Sequence, residues 1–172
     1  MKSAAVVAVI AVAVALQLSL SRFSVGGRWA FDLVLVAVVY VALRWGPTAG
    51  VLGGTLGGLL QDALSGTTVG VGGLAKTVVG FGTGVIGSQF IVTRPLPRML
   101  LVAGATVVAR FVVIGLFGLI DLRWPEVSWL SMLIETLLNA LAAFVVFQGA
   151  ESLPGLLRRG PSRRSSFGRR RW

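Results

Sequence analysis

The chain has 172 residues, 55% of them hydrophobic and only 13% charged, with a mean hydropathy of +0.87. A water-soluble domain of this size carries about a quarter charged residues to keep its surface wet, so a single soluble globule is excluded. With neither Cys nor His, disulfides, thiol nucleophiles, His general bases and most transition-metal sites are excluded as well.

The apolar residues come in blocks separated by short charged or Gly/Pro-bearing breaks, the pattern of membrane-spanning helices. The first block, residues 4–20, follows Lys2 like the core of a signal peptide, but no small-residue cleavage site follows, so an uncleaved first helix is expected. The second, residues 33–43, lies between Trp29 and Trp45, which suit the two membrane interfaces, with Asp32 in its first turn. Gly46-Pro47 then breaks the chain and restarts a helix. The third block, residues 48–60, and the fourth, 74–91, are rich in glycine. The second and third blocks fall near or below the usual length of about 20 residues and suit a tilted or partly re-entrant pair.

A loop at residues 93–98 precedes the fifth block, 99–120, and a break at 121–126 precedes the sixth, 129–148. The expectation is an all-α membrane protein of about six transmembrane helices in one bundle. Residues 1–152 form the membrane domain and 153–172 a basic, disordered tail.

The formal net charge of +10 is concentrated at Arg158, Arg159, Arg163, Arg164, Arg169, Arg170 and Arg171. Such a run resembles a nucleic-acid patch, but on a polytopic membrane protein it reads as a cytoplasmic segment facing anionic lipid, with no nucleic acid. A docking segment for a cytoplasmic partner is the alternative. With both termini inside, Lys2, Arg44, Arg94, Arg98 and the tail face the cytoplasm. Arg22, Arg28, Arg123, Asp62, Asp121 and Glu126 face outward, as the positive-inside rule requires.

Helices in lipid associate through close packing and polar contacts. The third block offers Gly50/Gly54, Gly53/Gly57 and Gly54/Gly58, and the fourth Gly80/Gly84. These fit packing within the chain, an intermolecular face, or a glycine-lined groove. Arg110 is central in the fifth block, within reach of Glu135 or Asn139, which lie one turn apart on the sixth. A structural pair fixing helix register, or an ion or proton pathway, fits that cluster. Asp62 and Lys76, at the outer ends of the third and fourth blocks, are expected to pair with each other as a turn-stabilising contact, or to meet a periplasmic partner.

Three stretches carry a family resemblance: Phe31-Asp32-Leu33-Val34-Leu35, Tyr40-Val41-Ala42-Leu43-Arg44-Trp45-Gly46-Pro47, and the glycine-rich helix running into Gly58-Leu59-Leu60-Gln61-Asp62-Ala63-Leu64-Ser65-Gly66. With the continuation Val69-Gly70-Val71-Gly72-Gly73-Leu74-Ala75-Lys76-Thr77, the chain resembles the MreD family. It departs from that pattern in its arginine tail and in Gly72 or Gly73, where the family often has Asn.

The resemblance implies a non-enzymatic component of the bacterial inner membrane, regulating cell shape and lateral peptidoglycan synthesis within the elongasome. The implied partners are MreC, the RodA–penicillin-binding protein 2 synthase and MreB. The implied fold is similar to the substrate-binding subunits of energy-coupling-factor transporters, so a vitamin-like ligand-binding subunit is the alternative function. No cofactor is expected. Enzymatic activity is disfavoured because no Ser–His pair, metal-ligand cluster or phosphate-cradling loop is present.

Overall fold

A computed structural model describes residues 2–20, 31–66, 68–90, 92, 94–120 and 128–157. Among these residues there are six helices and no strand: α1 (Lys2–Leu20), α2 (Leu33–Trp45), α3 (Pro47–Ser65), α4 (Val71–Gln89), α5 (Pro95–Ile120) and α6 (Trp129–Leu157). The expectations placed on Arg22, Arg28, Trp29, Asp121, Arg123, Glu126 and the arginine tail lie outside the described residues.

Among the described residues, three helices are long and apolar enough to cross a membrane: Ser3–Leu20, Pro95–Ile120 and Trp129–Ala150. Their outward faces are predominantly apolar. Leu16, Leu100, Phe111, Leu119, Leu133, Leu137 and Val145 are all exposed. A contiguous apolar exterior of this extent is incompatible with water and suits lipid. The chain is therefore a membrane protein.

The shortest apolar helix is the most enclosed. α2 has 13 residues, about 20 Å at the helical rise, against a hydrocarbon core of about 30 Å. Val34 to Val39 are all buried, as are Val41 and Ala42, and α2 touches each of the other five helices. That explains a helix hydrophobic on every side: it faces protein all round rather than lipid on one flank. One side of α2 packs Val34, Val38 and Val41 against Val6, Ile10 and Val14 of α1. The other packs Leu35, Val36 and Val39 against Val79, Val102, Ala143 and Phe147.

Gly46 alone links α2 to α3. Its φ of 93° lies in the left-handed region, its N–H closes on Ala42 O at 2.9 Å, and Pro47 begins α3 at once. Glycine relieves the Cβ clash of that conformation, and proline suits a first turn that needs no N–H donor. The same logic lets α5 begin at Pro95, inside the segment that the sequence suggests is loop.

α3 and α4 form the closest pair in the bundle. A Cβ on Gly50 would strike the Gly80 backbone, one on Gly54 the Lys76 backbone, one on Gly58 the Gly73 backbone, and one on Gly84 the Pro47 backbone. These glycines turn toward the neighbouring helix of the same chain, and bare backbones in contact gain dispersion along the whole groove. Gly53 and Gly57 form a second stripe that receives Ile10, Val34 and Val41 from α1 and α2. A Thr55–Thr77 hydroxyl contact of 2.8 Å crosses the α3–α4 seam.

Candidate functional site: a polar vestibule over the buried start of α2

A helix that begins inside a bundle exposes N–H groups that water cannot reach, so side chains must satisfy them. Asp32 is the N-cap of α2, and its Oδ1 accepts from Leu35 N at 3.0 Å. Gln17 of α1 takes the next positions. Its Oε1 accepts from Leu33 N at 2.7 Å and its Nε2 donates to Phe31 O at 3.0 Å. Asn139 of α6 accepts from Asp32 N at 2.7 Å, and its Nδ2 donates to Thr106 Oγ1 on α5 at 3.1 Å. The Thr106 hydroxyl in turn donates a hydrogen bond to Val102 O at 2.9 Å. Gln17, Asn139 and Thr106 are almost completely buried, so three helices contribute to one cap.

The Asp32 carboxylate is in turn neutralised from α4. Lys76 Nζ stands 2.7 Å from Asp32 Oδ2, with side chains 9% and 16% exposed respectively. This corrects the expected Asp62–Lys76 pair. α3 continues through Asp62 to Ser65 and α4 begins at Val71, so the connection is shorter than the sequence suggests and Asp62 points at the end of α4. Its Oδ2 accepts from Gly70 N at 3.0 Å and Gly73 N at 3.1 Å. A carboxylate there satisfies orphan donors and complements the positive end of the helix dipole. Lys76, one turn further along, is left to reach Asp32.

Arg110 and Glu135 meet across α5 and α6. Arg110 Nε donates to Glu135 Oε2 at 2.6 Å, and Arg110 Nη2 donates to the same oxygen. Asn139 does not join Arg110. It is committed to Asp32 and Thr106.

Asn139 lies ten residues after Trp129 on α6, which places the start of α2 about 15 Å below the first residue of α6. Above that start, between α3–α4 on one side and α5–α6 on the other, is a cavity of about 440 Å³. Asp32, Asp62, Lys76, Arg110 and Glu135 all line it, with Gln61 and Ser65. The sequence suggests two separate polar groups, Asp62 with Lys76 and Arg110 with Glu135 and Asn139. The structure gathers them around one space, with Asp32 between them. Gln17 and Thr106, which the sequence does not single out, complete the cap, Gln17 directly and Thr106 by holding Asn139. The signal available was a Gln inside an otherwise apolar helix.

No group of His, Cys, Asp or Glu suited to a metal ion is present among the described residues. What the arrangement does chemically is hold a short helix at depth and keep a charged, hydrogen-bonding chamber open above it. The family model for the rod shape-determining protein MreD matches residues 2–149. The chain belongs to the MreD family. Its part is therefore in determining rod shape, as a membrane component of the cell-shape machinery. The MreD match takes in every residue of the vestibule and its cap, from Gln17 to Asn139, and ends before the arginine tail. No curated protein and no solved structure matches the chain.

Proposed function

We propose that this chain is a non-enzymatic component of the bacterial plasma membrane that holds MreC and tunes lateral peptidoglycan synthesis by RodA and penicillin-binding protein 2, with MreB in the same machinery. MreD membership carries this reading. An apolar exterior, with glycine stripes committed to packing inside the chain, supports a body whose work is to hold neighbours. All six helices cross or enter the bilayer, α2 as an enclosed pillar. Both termini are cytoplasmic, which puts the vestibule toward the outside, where a periplasmic partner segment arrives. The arginine tail tethers the inner end to anionic lipid.

The test is co-purification. The tagged chain, extracted in mild detergent, is expected to bring MreC with it. A preparation that retains the fold and the rest of the machinery but not MreC contradicts the scaffold. For the tail, removing residues 158–172 is expected to weaken association with anionic vesicles, and unchanged association contradicts the tether.

A second reading has one observation in its favour. The vestibule, at about 440 Å³, is the size of a small-molecule site, which suits a ligand-binding subunit like those of energy-coupling-factor transporters.

A further inference from the structure

We propose that the vestibule binds an organic cation through its N–H groups, a primary ammonium or a guanidinium. This rests on reading the cavity as a ligand site and is independent of the MreC reading.

Two observations carry it. The first is charge. The chain has only six acidic residues in a net charge of +10, yet among the described residues that line this cavity three are acidic, Asp32, Asp62 and Glu135, and two are basic, Lys76 and Arg110. A chamber richer in carboxylates than in bases, in a chain otherwise dominated by arginine, favours a positive guest. Partial burial amplifies that preference, since charges interact more strongly away from bulk water.

The second is an unanswered acceptor. Gln61 Oε1 and Ser65 Oγ are buried atoms on the cavity wall with no hydrogen-bond partner among the described residues. A carbonyl oxygen can only accept, so Gln61 Oε1 calls for a donor. Glu135 adds capacity, because Arg110 places both of its hydrogen bonds on Oε2 and leaves Oε1 to other donors. A buried acceptor without a donor is costly, and a guest bearing N–H groups removes that cost. An anion adds to it.

The source of the cation is either a small soluble amine or the headgroup of an aminophospholipid. The volume admits either one, and the chemistry they share is the ammonium with its N–H donors.

The experiment uses the full chain in nanodiscs of phosphatidylcholine, whose headgroup has no N–H donor. Ethylammonium, tetramethylammonium and acetate are titrated by calorimetry, with thermal unfolding as a second readout. Saturable binding of ethylammonium, about tenfold tighter than that of tetramethylammonium, is the expected result. In nanodiscs containing phosphatidylethanolamine, competition that weakens the ethylammonium signal assigns the site to a lipid headgroup. An unchanged signal assigns it to a soluble amine.

Gln61 Oε1 and Ser65 Oγ hold no hydrogen bond among the described residues, so Gln61→Leu and Ser65→Ala should both fold. Gln61→Leu is expected to weaken ethylammonium binding about tenfold. Wild-type affinity in that variant overturns the proposal. Acetate binding without ethylammonium binding overturns the cationic assignment while leaving a ligand site. No binding of any probe reduces the vestibule to a water-filled space and overturns both.

Discussion

Lys76 reaches from the second turn of α4 to Asp32 Oδ2, at 2.7 Å, and in doing so neutralises the N-cap of the one helix that every other helix touches. The pair does local and global work together. Locally, it holds the carboxylate that caps Leu35 N. Globally, it ties the α3–α4 pair to the core, because Lys76 lies on the glycine-packed seam with Gly54 against its backbone. A charge in hydrocarbon is tolerated only with its partner, and here each supplies the other's.

The glycine seam gives a position-specific test. Gly54→Ala drives a Cβ into the Lys76 backbone, which cannot give way as a side-chain tip would. Overpacking of this kind costs about 1–3 kcal/mol, with a lower midpoint of thermal unfolding in detergent. Gly82→Ala meets nothing within 4 Å and is expected to be neutral or slightly stabilising, since alanine is the better helix former. Equal effects at the two positions would show that α3 and α4 are not in backbone contact.

The cap gives a second. Gln17→Leu strands Leu33 N and Phe31 O, and Asn139→Leu strands Asp32 N. Each buried group left without a partner costs about 1–3 kcal/mol. Because both side chains serve the same helix start, the double variant is expected to lose less than the sum of the singles. Strict additivity in unfolding measurements would separate the two sites.

Arg110 and Glu135 predict an asymmetry. The arginine side chain is 43% exposed and the glutamate 12%. Glu135→Gln leaves an arginine that the vestibule can hydrate, whereas Arg110→Gln leaves an enclosed carboxylate. The arginine substitution is expected to lower the unfolding midpoint more, by a margin reduced by the exposure of the pair. The opposite order would place Arg110 in hydrocarbon rather than on a wet wall.

The helices themselves were legible because apolar runs in lipid have few alternatives to helix. α5 and α6 are long and uninterrupted, and the short connection between them makes antiparallel neighbours of Arg110 and Glu135. The ends of α3 and α4 were less so. Gln61, Asp62 and Ser65 look like a break, yet Asp62 stays helical because its carboxylate has the end of α4 to cap.

The partner of Lys76 was not legible at all. Asp32 is 44 positions away in sequence, and nothing in the periodicity indicates that α2 stands at the centre. An all-round apolar run of this kind fits a lipid-facing span as well as a buried one. Its shortness was the clue. Too short to span on its own, it had to start at depth, and its first N–H groups then needed partners such as Gln17 and Asn139.

The most direct test is a double-mutant cycle on Asp32→Asn and Lys76→Met, read by unfolding of the purified chain in detergent. Each single variant leaves one charge inside the bundle without its counter-charge and is expected to lose about 3–5 kcal/mol. The double variant should recover much of that loss, because the asparagine oxygen still caps Leu35 N. Two small, additive effects would mean that the two side chains do not meet, and that the start of α2 is not held by α4.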